Sequence, residues 1–134
     1  MCIAMSNNKK HKSASFFESL FFATRGIFFA FTREPNMRRQ SVVLIVVVLL
    51  SILLKVSLSE LFIILILSFL VFAFELINSS IEALADALHP KRHKNIERAK
   101  DMAAGSVLLI SLAALIYGLT VFIPRLIGTY LSLL

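Results

Sequence analysis

LFIILILSFLVFAFELINSSIEALAD, residues 61–86, opens as an uncharged apolar run and then changes character at Glu75. Residues 61–74 are too few to cross a hydrocarbon core of about 30 Å, which takes roughly 17–25 helical residues. The run reaches that length only by continuing through Glu75, so the sequence predicts one helix over 60–88 with a carboxylate at membrane depth. Such a helix is about 43 Å long at 1.5 Å per residue, roughly two turns more than the core needs. Its last third should therefore emerge on the side where Pro90 stops it.

Outward from this stretch, two more runs are nearly free of charge: 42–58, interrupted by Lys55, and 102–124. Apolar residues make up 58% of the 134, charged ones only 16%, and the mean hydropathy is +0.86. A water-soluble domain is ordinarily 45–50% apolar, so the composition implies an integral membrane protein. The net charge of +6 follows membrane topology and not nucleic-acid binding. Seven of the 14 Lys and Arg precede the first span and five lie within 91–100, leaving Lys55 and Arg125 for the other side. By the positive-inside rule the N-terminus and the 89–99 loop face the cytoplasm, and three spans place the C-terminus outside. Cys2 is the only cysteine, so no disulfide forms within the chain. The basic first 40 residues do not read as a secretory signal.

The N-terminal part reads as a flexible basic tail over 1–14 followed by an amphipathic surface helix over 15–33. Seven of the twelve phenylalanines fall there; Phe17, Phe21, Phe28 and Phe31 share one face, and Glu18, Arg25 and Thr32 another. Glu34-Pro35 makes a corner, because proline disfavours helical geometry in the residue before it. Membrane helices are expected over 38–58, 60–88 and 96–124, the last ending at Pro124, all within a single membrane domain covering 1–134.

The chemistry concentrates on the emerging end of the second span. Glu75, Asn78, Ser79, Glu82 and Asp86 fall in one stripe at about 100° per residue, among apolar and small neighbours. A buried carboxylate is costly and usually faces a bundle interior. Asn78 and Ser79 alone could be polar glue between helices, whereas three aligned carboxylates make better sense around cations. Glu82 stands about 10 Å above Glu75 along the axis, near enough to water for Mg2+, which takes oxygen ligands from one or two carboxylates and phosphates. Glu34 is a plausible second carboxylate. The deeper Glu75 could meet a hydroxyl at headgroup depth and orient it as a base. Small residues at Ala103, Ala104, Gly105 and Ser106 allow close helix approach, and Lys100 before them could bind phosphate. No Gly-rich nucleotide loop and no Cys/His cluster occurs. The residues alone describe an intramembrane acidic site facing a basic rim, open to an enzyme, a channel or a scaffold. Apolar first and third spans disfavour the channel.

Glu75-x-x-Asn78-Ser79-x-Ile81-Glu82-x-x-x-Asp86, with Ala99-Lys100-Asp101 ahead of a small-residue helix, resembles the signature of the prokaryotic diacylglycerol kinase family. That resemblance covers nearly the whole chain and implies an all-α integral membrane fold: a surface helix and three membrane helices in a homotrimeric bundle, with sites shared between subunits. It implies a bacterial cytoplasmic-membrane enzyme that moves the γ-phosphate of MgATP to a lipid alcohol. Glu75 matches the family's general base. Glu34 and Glu82 match its Mg2+ ligands. Phe22, Lys91, His93, Lys100 and Asp101, with the two metal carboxylates, match its ATP contacts. Asn78 lies beside the base, and Ala104 takes a serine's place near the lipid. The run Lys100-Asp101-x-Ala103-Ala104-Gly105-x-Val107 and the tail 118–126 look more like the branch similar to undecaprenol kinases than like the enteric diacylglycerol kinases.

Overall fold

The computed structural model describes residues 15–88 and 93–131. They form α1 (Phe16–Arg33), α2 (Pro35–Leu53), α3 (Leu58–Leu88) and α4 (Lys94–Leu131). The last three are long and apolar enough to cross a membrane. The segment expected to be a flexible tail, Lys91 and the proline expected to stop α3 lie outside the described residues.

The Glu34-Pro35 corner is one residue wide. Glu34 is extended (φ −89°, ψ 118°), as a residue before proline should be, and its N–H donates to Ala30 O at 2.8 Å to close α1. Pro35 then occupies the first position of α2, where a missing N–H costs nothing. The first membrane helix therefore starts three residues earlier than the expected 38.

It also ends earlier, at Leu53 and not at 58. Val56 N–H donates to Ser51 O at 2.9 Å and Lys55 N–H to Ile52 O at 3.2 Å, with Lys55 left-handed at φ 50°. This is the Schellman ending, in which glycine is the usual left-handed residue. Ser57 next caps α3: its N–H and hydroxyl donate to Glu60 Oε2 at 3.0 and 2.5 Å, and its Oγ accepts Glu60 N–H at 3.4 Å.

The expected stop at Pro124 is not observed. α4 continues through it to Leu131. Proline denies Thr120 O its helical partner, yet Arg125 NH1 donates to the neighbouring Val121 O at 2.7 Å, and Arg125 NH2 reaches Glu60 Oε2 at 2.6 Å. That side chain ties the far end of α4 to the start of α3.

Packing within one chain is lopsided. α3 and α4 make the longest contact, α2 rests on α3, and α1 touches α2 and α3. Ala30, Met37 and Phe72 form the buried cluster, flanked by Phe31, Leu44 and Leu76, so the core sits at the α1–α2 corner against the middle of α3. Phe31 packs on Phe72 at 5.5 Å between ring centres, while the other α1 phenylalanines stay exposed. Hydroxyls inside the spans are satisfied locally: Ser41, Ser51 and Ser68 donate to the carbonyls of Met37, Val47 and Ile64 at 2.8 Å. Of the small residues opening α4, Ala103 is buried, whereas a Cβ on Gly105 would meet nothing within 4 Å. The close approach within one chain thus belongs to Ala103.

Candidate active site

Glu75 lies one turn beyond Phe72 on the face of α3 that meets the corner, and only 3% of it is exposed. A charge so placed needs donors. Gln40 supplies one from α2, its Nε2 reaching Glu75 Oε2 at 3.4 Å, a long contact. Gln40 is not among the residues expected at the site from the sequence. Its one signal is spacing, since Met37, Gln40 and Leu44 share the α2 face turned to α3, and a neutral polar residue there has to meet something on α3.

From Glu75 the stripe climbs out of the core. Asn78 is 6% exposed, Glu82 is half-buried, and the Asp86 side chain is 71% exposed. Asn78 Nδ2 donates to Glu82 Oε1 at 3.1 Å, which fixes the amide and leaves its buried Oδ1 without a partner. Gln40 Oε1 is likewise buried and unpartnered. Buried polar atoms are nearly always bonded, so two orphaned acceptors beside a buried carboxylate mark a place that wants a hydrogen-bond donor or a cation. At the rim Lys100 Nζ, from the facing turn of α4, pairs with Asp86 Oδ1 at 2.9 Å.

An apolar groove of about 400 Å³ lies below this stripe, between α2, α3 and α4. Gln40 and Phe72 line it toward Glu75, and Ile64, Leu119 and Phe122 line it farther along. The polar stripe and the groove thus meet at the Gln40–Glu75 contact.

Glu75, Asn78 and Glu82 lie on the α3 stripe, Lys100 pairs with its outer member Asp86, and other expected residues lie apart from it. Among the described residues, no hydrogen bond or ion pair joins Phe22, Glu34, Asp101 or Ala104 to the stripe. Phe22 is exposed on α1, Glu34 sits half-buried at the corner, and Asp101 and Ala104 are exposed on α4. His93 opens α4, its carbonyl accepting the Ile96 and Glu97 N–H groups at 2.9 and 3.0 Å. Lys91 is outside the described residues. Among those residues no three His, Cys, Asp or Glu side chains gather into a metal-binding group.

Residues 21–122, which contain the stripe, the corner and the Lys100–Asp101 pair, match the family described as prokaryotic diacylglycerol kinase. The chain belongs to that family. It is 32% identical to the undecaprenol kinase of Bacillus subtilis (strain 168) over 90% of its own length and 98% of that protein's. It is 31% identical to a diacylglycerol kinase of Synechocystis over 80% of its length, the match spanning 62% of the cyanobacterial protein. Membership makes it an ATP-dependent lipid kinase and a multi-pass membrane protein. The two helical ends of this kinase differ in composition: one carries the acidic stripe and the Lys100–Asp86 pair, the other the Glu60–Arg125 tie.

Proposed function

We propose that the chain phosphorylates undecaprenol, transferring the γ-phosphate of MgATP to give undecaprenyl phosphate, from a site on the cytoplasmic side of the bacterial membrane. The observation that carries this reading is a buried carboxylate placed between an apolar intramembrane groove and an ion-paired rim. An isoprenoid or acyl chain suits the groove, and phosphates suit the rim.

In this reading Glu75 takes the proton of the lipid hydroxyl as its oxygen bonds to the γ-phosphorus. The bond from that phosphorus to the bridging oxygen breaks, and ADP leaves. Phosphoryl transfer asks mainly for positioning and charge neutralisation. Asn78 and Ala104 border the lipid, and Asn78 holds the Glu82 carboxylate in place. Phe22, Glu34, Glu82, Lys91, His93, Lys100 and Asp101 surround the nucleotide, with sites completed between subunits of a homotrimer.

Magnesium fits the donors. Glu82 is a half-buried carboxylate next to an orphaned amide oxygen, and no closed three-acid cage exists among the described residues. Mg2+ prefers this kind of place, holding one or two carboxylates and keeping the rest of its octahedron for phosphates and water. Glu82 and Glu34 would hold it, and when bound it neutralises phosphate charge.

The Bacillus undecaprenol kinase matches nearly end to end, which favours undecaprenol. The Synechocystis relative, at nearly equal identity, keeps diacylglycerol as the alternative acceptor. Transfer from labelled ATP with Mg2+ in detergent micelles, with undecaprenol and a short-chain diacylglycerol offered in parallel, decides between them. The expected result is faster labelling of undecaprenol. Faster labelling of diacylglycerol reverses the assignment, and labelling of neither points to another lipid alcohol.

A further inference from the structure

Asp86 takes no part in the proposed transfer, yet it pairs with Lys100 across the rim. It stands one turn beyond Glu82 on the same stripe, and its Oδ1 lies 2.9 Å from Lys100 Nζ. The pair bridges α3 and α4, the two helices that pack most extensively. Lys100 is the more enclosed partner, its side chain 32% exposed against 71% for Asp86. Its ammonium also lies in the field of the Glu82 carboxylate. The lysine is thus held against Asp86 at the outer end of the stripe.

We propose that Asp86 is a positioning residue for nucleotide binding: it holds the Lys100 ammonium at the outer end of the stripe, where phosphate oxygens would arrive. The proposal rests on the kinase site described above. An ammonium has three N–H donors, and Asp86 Oδ1 takes one, so two remain for phosphate without the pair having to break. A lysine side chain loses much rotational freedom when fixed. Here that loss is met in folding, and the nucleotide finds the cation in place, which is the usual benefit of preorganisation.

The test measures the dissociation constant of a non-hydrolysable β,γ-methylene ATP analogue with Mg2+, on the full-length protein in detergent. The variants are Asp86→Ala, Asp86→Glu, Lys100→Met and the Asp86→Ala/Lys100→Met pair, each also followed by thermal unfolding. Exposed ion pairs contribute modestly, so Asp86→Ala should weaken binding about two- to fivefold. The KM for MgATP should rise in parallel, with the lipid KM unmoved. Asp86→Glu should recover most of the affinity, and Asp86→Ala should add nothing once Lys100 is Met. Unchanged analogue affinity in Asp86→Ala, while Lys100→Met weakens it, overturns the positioning role and leaves the kinase site standing. Loss of both KM values together with a lower unfolding temperature, unrescued by Asp86→Glu, also overturns it, since that is the behaviour of a plain helix latch. No effect of Lys100→Met on analogue binding overturns the assignment of the site itself.

Discussion

Glu75 and Glu82 stand two turns apart on one helix, and their surroundings differ. Glu75 is 3% exposed, and its observed donor is one amide at 3.4 Å, so its carboxylate is largely shielded from water. Glu82 is half-buried and its Oε1 accepts from Asn78 Nδ2 at 3.1 Å, which fixes the carboxylate. Replacing Glu75 by Gln keeps the shape and removes the base. Turnover is expected to fall by at least about 10²-fold, the usual scale for a lost general base, while binding of an MgATP analogue persists in an equilibrium titration. A parallel loss of nucleotide affinity would sink the base assignment. Glu82→Gln should do the opposite: the analogue weakens, and the deficit shrinks as Mg2+ is raised. Nucleotide affinity that ignores both the substitution and the Mg2+ concentration would remove Glu82 from the metal site.

At the scale of elements, the helix ends show how local chemistry sets geometry. Pro35 begins α2 and the Ser57–Glu60 box begins α3, both by side-chain rules readable from the sequence. The end of α2 is less economical, because Lys55 holds a left-handed backbone at φ 50° that costs a β-carbon-bearing residue about 1–2 kcal/mol. Lys55→Gly should therefore stabilise the fold by about 0.5–1 kcal/mol, the relief being partly offset by the greater freedom of glycine in the unfolded chain. The check is a rise of a few degrees in unfolding temperature in detergent with lipid phosphorylation unaltered. A fall in that temperature would mean that the lysine side chain contributes more at the membrane surface than the turn costs.

For the molecule as a whole, the important quantity is how little one chain buries. Among the described residues six apolar side chains are buried, whereas Phe62, Phe69 and Leu109 on the spans remain more than 60% exposed. Lipid can cover such surface, but Phe22, Glu34, Asp101 and Ala104 stay apart from the acidic stripe within one chain, as a site completed by neighbouring copies requires. Native mass spectrometry from detergent is expected to give a protein mass three times 15.0 kDa. A monomer with full lipid kinase activity would exclude shared sites. The spans, the corner and the acidic stripe were legible from sequence because they depend on apolar length, proline stereochemistry and the helical repeat, all properties of neighbours along the chain. The tie between Arg125 and Glu60 was not legible, since the two residues are far apart in sequence and meet only when α3 and α4 pack. Nor were the partners of the stripe: Gln40 on Glu75, and Asp86 on Lys100. Periodicity says which residues share a face of one helix, but which face of another helix meets it is settled only when the helices pack.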